Sequence, residues 1–169
     1  MEDALAKGYE KILIMEDDIV PDKSINERFD SFIKEVPQNW DLLYLSYIRT
    51  SDDKSTWFSG GEEIEKQKIS NNVVKAKNFW SCMCYGISKS MMEKTIEWYK
   101  SNSIIEIDRY FVEHIQRSED SFCYGVIPQL FAGCDNYSNT ENQNLEIFQR
   151  SSNIAYQQKE NFMFPDDIK

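Results

Sequence analysis

In the stretch ILIMEDDIV (residues 12–20), three consecutive carboxylates, Glu16, Asp17 and Asp18, stand at the end of an apolar run that reads as a strand, just before Pro21. Adjacent like charges repel, and any burial adds a desolvation cost. Two arrangements relieve this. One is a divalent cation: Mg²⁺ or Mn²⁺ commonly takes one or two carboxylates and completes its shell with oxygens of a phosphorylated substrate. The other is a surface turn in which Asp17 or Asp18 satisfies loop amides through Asx turns. The carboxyl end of a strand is where open α/β sheets hold their ligands. Glu16, Asp17 and Asp18 are therefore candidate site residues by position.

The elements around the acids set that position. Residues 2–9 read as the end of a helix stopped near Gly8, and residues 11–16 as a strand of the buried type. Ser24 and Glu27 have the spacing of a capping box, and Ile25, Phe29, Phe32, Ile33 and Val36 recur at helical spacing before Pro37. WDLLYLSY (40–47) reads as a second buried strand, expected to pair in parallel with 11–16 and to place Trp40, Leu43 and Leu45 in the core. Residues 48–72 read as a long polar loop, and 73–88 as one or two strands broken near Asn78. Ser90 and Glu93 predict a capped helix to about Lys100 with Met92, Ile96 and Tyr99 inward. A further helix is expected from about Asp108 to Arg117 with Ile107, Phe111 and Ile115 inward, then a strand ended by Pro128. The alternation of helix and strand predicts an α/β fold. One domain is expected over 1–135, with a polar, irregular tail over 136–169.

Composition narrows the function. The chain has 169 residues, 41% of them hydrophobic, and a formal net charge of −10. Without a basic run, that charge disfavours nucleic acid and anionic membranes as partners. No apolar stretch is long enough for a transmembrane segment, and Glu2 and Asp3 stand where a signal peptide carries positive charge. The expected location is cytoplasmic. Cys82 and Cys84, two apart in a strand-like segment, are expected to share one face, and the four cysteines lack zinc-site spacing, so reduced core thiols are expected.

Taken in order, EKILIMEDDIVP, the amphipathic helix, WDLLYLSY, FWSCMCYGISKSMMEK, IIEIDRYF and YGVIPQLFAGCDNYSNT resemble the family 25 glycosyltransferases. These include bacterial lipopolysaccharide galactosyltransferases and collagen hydroxylysine galactosyltransferases. The resemblance covers about residues 5–140. It implies a GT-A-like mixed sheet flanked by helices, and hexose transfer, galactose above all, from a nucleotide-diphosphate sugar to a sugar or hydroxylysine acceptor. It also implies Mn²⁺ or Mg²⁺, with Asp18 as direct ligand, Asp17 as second ligand and donor contact, and Glu16 on the donor ribose or a loop amide. Asp108 becomes the general base for the acceptor hydroxyl, against the plainer reading of a helix N-cap.

Members of that family ordinarily carry a preceding segment that holds the nucleotide base, and this sequence opens at the helix before the acidic strand. The expectation is a fragment or relative truncated at the N-terminus, with little transfer by the isolated chain. The alternative is a non-catalytic remnant or regulatory partner. A metal-dependent hydrolase or nuclease is disfavoured by the acidic charge and the lack of a second His, Asp and Glu cluster. His114, the only histidine, reads as packed or at the surface, and Trp57, Phe58 and Gly60-Gly61 as a sugar-stacking loop or a simple anchor.

Overall fold

The computed structural model describes residues 1–50, 57–58, 66–133, 136–138, 143–145 and 161–163. Helix α1 (Glu2–Ala6) precedes strand β1 (Lys11–Met15) and the short β2 (Ile19–Pro21), and helix α2 (Ile25–Glu35) leads into β3 (Leu42–Thr50). Then come β4 (Trp57–Phe58), β5 (Val73–Lys75), β6 (Phe79–Ser88) and helix α3 (Lys89–Ser101). Helix α4 (Ile107–Tyr110) runs straight into a π-helix (Phe111–Gln116), followed by β7 (Cys123–Val126), β8 (Phe131–Gly133), β9 (Asn136–Ser138) and β10 (Gln143–Leu145).

The main sheet among the described residues has the order β1-β6-β3-β7-β5, with β4 paired to the end of β3. Only β3 and β7 are parallel neighbours; the other pairs are antiparallel. This mixed sheet flanked by helices is consistent with a GT-A-like fold. The expected pairing of residues 11–16 with WDLLYLSY does not occur. Strand β6 lies between β1 and β3, antiparallel to both, so those two run in the same direction one strand apart. The β1 strand is also an edge, with alternate residues exposed, rather than a strand buried on both faces. Trp40 precedes β3 and is half-buried. Its ring lies over Gly86, where an added Cβ would come within 2.9 Å of it.

Each face of the sheet has its own core. On one face Leu42, Tyr44, Tyr85 and Ile87 pack under Met91 and Met92 of α3 and under Tyr110 and Phe111. On the other, Leu43, Leu45, Val73, Tyr124 and Val126 pack under Phe32 and Val36, with Ile25, Phe29 and Ile33 alongside as the helical spacing predicted. The caps differ from the sequence reading. Ser24 makes no side-chain cap bond; the Asp22 carboxylate accepts from Ser24 N at 2.8 Å and from the Arg28 guanidinium at 2.8 Å. In α3 the cap is Ser88, two residues before the expected Ser90, and its hydroxyl accepts from Met91 N at 3.2 Å. Both Ser88 and Ser90 donate to the Asp41 carboxylate, at 2.9 and 2.8 Å.

Register shifts between β3 and β6 fall at Tyr44/Ser46 and Ser46/Ile48. A shift leaves backbone groups without ladder partners, and buried ones must find others. The buried Gln129 side chain supplies them for Tyr47: Oε1 accepts from Tyr47 N at 3.0 Å and Nε2 donates to Tyr47 O at 2.8 Å. The Tyr47 ring then stacks on Phe79 with centroids 3.9 Å apart, above Gly125, where a Cβ would fall 2.4 Å from Phe79 Cε2. Cys82 and Cys84 end on opposite faces, one in each core, because the register shift opposite Ser46–Ile48 falls across residues 80–84 of β6 and breaks the two-residue alternation.

Beyond residue 135, where no regular element was expected, β9 and β10 form an antiparallel pair. Phe162 is buried against Val20 and Ala132. Replacing Gln129 by leucine is expected to strip both backbone groups of Tyr47 of their partners. Each orphaned buried group costs about 1–3 kcal/mol, so chemical denaturation should show a loss of at least that size.

Candidate functional site

The acidic motif sits where the main sheet hands the chain to a smaller one. Strand β1 ends at Met15, and Glu16 extends the ladder by one rung, its N–H donating to Met83 O at 2.8 Å. Asp17 and Asp18 then form the turn into β2, which pairs with β8 in a separate two-stranded sheet. Glu16 and Asp17 are exposed and Asp18 is half-buried. The turn thus has fixed backbone on both sides and carboxylates open to solvent, at the strand end that the sequence singled out.

Asp108 approaches β6 from helix α4. It is the second residue of α4, whose N-cap is Glu106, so the plain reading of Asp108 as the cap does not hold. Its carboxylate accepts from Arg109 N at 2.7 Å and, more weakly, from Ser81 N at 3.4 Å. Ser81 takes the left-handed conformation; such backbone at a non-glycine residue recurs at functional sites. The two backbone contacts hold one carboxyl group between a helix start and a central strand.

The Glu16 carboxyl is pushed above the ordinary 4.5, first by partial burial and then by the charges of Asp18, Asp108 and Asp17. Glu16 thus feels the charges of three other carboxylates, one of them Asp108, distant in sequence. Cys82 lies among them: burial, then the charges of Asp108 and Glu16, push its thiol well up, so it stays protonated and poorly nucleophilic. Tyr85 and Tyr99 border the same group. Tyr85 is raised first by burial, then by Cys82 and Glu16, and Tyr99 by burial and then by Tyr110, Cys82, Asp108 and Glu106.

The sequence reading missed Ser81, Cys82, Tyr85 and Tyr99 as neighbours of the acids. Tyr99 was assigned to the core stripe, and nothing in the local pattern announces the bend at Ser81. The other expected site residues lie elsewhere. His114 is exposed and stacks against Tyr110 with centroids 5.8 Å apart, a surface histidine as read. Trp57 and Phe58 pair with Thr50 and Arg49 at the end of β3, whereas Gly60 and Gly61 lie outside the described residues. Cys82, Cys84 and Cys123 are free buried thiols, as expected, and Cys84 and Cys123 are each pushed up to about 12, chiefly by burial. Cys134 and Asp135 lie outside the described residues.

Among the described residues no three His, Cys, Asp or Glu side chains stand together as a cage for a metal ion. None of the helices among them is long and apolar enough to cross a membrane. The chain is similar to a segment of a protein from Acanthamoeba polyphaga mimivirus named procollagen lysyl hydroxylase and glycosyltransferase. The identity is 27% over 132 residues, covering 71% of this chain and 13% of the viral protein. The chain thus spans a small part of that relative. No family model matches the chain, and no solved structure matches it.

The raised Glu16 sets a pH dependence. Its ionised form is disfavoured in the folded chain, so the folded state holds the proton to higher pH than the unfolded state. Stability is then expected to fall as pH rises from 4.5 through the raised value. Because Glu16 is exposed, solvent screens much of the effect. Glu16→Gln should match the wild type below that window and melt at a slightly higher temperature above it; melts across the pH range check this.

Proposed function

We propose that this chain carries a sugar-transfer site in which the acids at the end of β1 hold a nucleotide-diphosphate sugar through Mn²⁺ or Mg²⁺. The observation that carries the reading is that Glu16 feels the charge of Asp108, from a distant helix, together with those of its neighbours Asp17 and Asp18. The similarity to a protein named in part as a glycosyltransferase supports the same chemistry.

The donor set suits a hard cation. Mn²⁺ and Mg²⁺ bind oxygen ligands and need only one or two carboxylates when phosphates supply the rest. When bound, the cation would supply Lewis-acid stabilisation of the departing diphosphate. Asp18 would hold it directly and Asp17 as second ligand, while Glu16, fixed by its bond to Met83 O, would reach the donor ribose or a loop amide.

Asp108 is the group for the acceptor. In an inverting transfer the acceptor oxygen bonds to the sugar C1 as the bond from C1 to the phosphate oxygen breaks. The electron pair leaves with the diphosphate, and the hydroxyl proton passes to the Asp108 carboxylate. The contacts from Arg109 N and Ser81 N orient that carboxylate, and the half-buried Tyr99 borders it. Galactose is the proposed hexose, and a sugar or hydroxylysine hydroxyl the proposed acceptor.

Calorimetric titration with Mn²⁺ tests the acids, and donor consumption tests the chemistry in a polypeptide that includes residues 1–169. Asp18→Asn should weaken Mn²⁺ binding markedly, and Asp18→Ala should abolish transfer from UDP-galactose across a panel of sugar and hydroxylysine acceptors. Asp108→Asn should keep Mn²⁺ binding while transfer falls by roughly 100- to 10,000-fold, the usual worth of a general base. Equal Mn²⁺ affinity in wild type and Asp18→Asn would remove the metal role, and full transfer by Asp18→Ala would remove the sugar-transfer reading.

A further inference from the structure

A groove of about 700 Å³ lies between α3 and the helical run that follows it. That volume falls within the range of small-molecule sites, about 300–1,000 Å³. Helix α3 lines the groove with Glu93, Lys94, Glu97 and Trp98, which share a side of the helix because residues three and four apart are surface neighbours. Tyr110 of α4 and Ile115 of the π-helix complete the lining. Both walls are internal helices of the chain, and none of these residues belongs to the acidic site at the end of β1.

The apolar part of the lining is a fixed ring. Trp98 is half-buried, its centroid 4.7 Å from that of Tyr110, 4.9 Å from Tyr99 and 5.2 Å from His114. Three ring neighbours leave the indole little freedom, so little ordering cost remains for a ligand laid on it. The rest of the lining is polar and open. Glu93, Lys94 and Glu97 are exposed. Among the described residues, their side chains have no hydrogen-bonding or ion-pair partner, and the indole N–H of Trp98 has no acceptor.

These groups select the occupant. Two carboxylates oppose an anion, and the ammonium of Lys94 opposes a simple cation. An apolar protein face laid over the groove would desolvate all three charges without bonding them, which is costly. A neutral pyranose satisfies every group: its C–H face lies on the indole, while its hydroxyls donate to Glu93 and Glu97 and accept from Lys94 and the indole N–H. We propose that the groove binds a neutral pyranose glycan, stacked on Trp98 and held by Glu93, Lys94 and Glu97. This goes beyond the sugar-transfer reading, because binding here needs neither metal nor nucleotide donor.

The probes are methyl β-galactoside and methyl β-glucoside, with galacturonate as the anionic and galactosamine as the cationic counterpart. Each is titrated into the chain without added metal, and binding is read from the Trp98 indole N–H resonance and from saturation transfer to the sugar ring protons. At least one neutral sugar is expected to shift the Trp98 signal and saturate, with both charged sugars binding more weakly. Trp98→Ala should weaken binding at least about tenfold, or about 1.4 kcal/mol, and Glu97→Ala, at an exposed position, about threefold. The second variant keeps the test decisive if the first fails to fold. Adding Mn²⁺ should leave sugar affinity unchanged, and both variants should bind Mn²⁺ like the wild type, so failure here is distinguishable from failure of the metal reading. A Trp98 signal unmoved by either neutral sugar, or wild-type affinity in Glu97→Ala, would overturn the proposal. So would tighter binding of galactosamine, since the occupant would then be a cation, or a concentration-dependent dimer that covers Trp98, since it would then be a second copy.

Discussion

The amide of Gln116 closes on both backbone groups of one residue, and the arrangement of the site hangs on that closure. Its Oε1 accepts from Phe79 N at 2.8 Å, and its Nε2 donates to Phe79 O and to the Tyr44 hydroxyl, each at 2.8 Å. All of these groups are buried, so leaving any of them unpaired is costly. Phe79 opens β6, and Gln116 ends the helical run that begins beside Asp108. One side chain thus joins the start of the strand bearing Ser81 and Cys82 to the helix bearing Asp108. The π-helical turn widens the backbone just before Gln116; such turns are rare and frequently accompany functional sites.

The same device recurs at Gln129, and the two glutamines explain how a sheet with two register shifts stays buried. Each offers one acceptor and one donor, the same pair a strand residue would offer, but from a side chain that can reach an irregular backbone. Asp41 does comparable work at the other end of β6. By accepting from Ser88 and Ser90 it joins the turn before β3 to the start of α3. Residues of the two stretches that resemble glycosyltransferases, WDLLYLSY and the YGISKS part of the next, therefore act here as scaffold, while the acids of the first stretch point to solvent.

The elements that could be read from sequence are those whose pattern is local. The stripe from Ile25 to Val36 shows a helix because its apolar residues all face one core, and the break near Asn78 is visible because Asn tolerates the left-handed backbone found there, with φ 56°. Neighbours in the sheet were less legible. Nothing in residues 11–16 or 40–47 tells that β6, later in the chain, inserts between them. Parity misled for Cys82 and Cys84 because an alternation rule assumes a regular strand. At the site, the three adjacent carboxylates were plain from spacing and position. That Glu16 feels the charge of Asp108 could not be read from any spacing, since the two segments lie far apart in sequence.

The turn that carries the acids is secured on its far side by the end of the chain. Asp22 N donates to Leu130 O at 2.9 Å, Lys23 N to Asn161 O at 2.8 Å and Met163 N to Pro21 O at 2.9 Å, while Phe162 seals Val20 and Ala132. Contacts so far apart along a chain are slow to find, because closing the loop costs entropy before any bond repays it. During synthesis the ladder from Lys11 to Met15 can form once β6 has emerged, whereas the anchor beyond Asp18 waits first for β8 and then for the residues around Phe162. The acidic turn is thus hinged on one side before it is latched on the other, and its geometry depends on contacts made far later along the chain than its own residues.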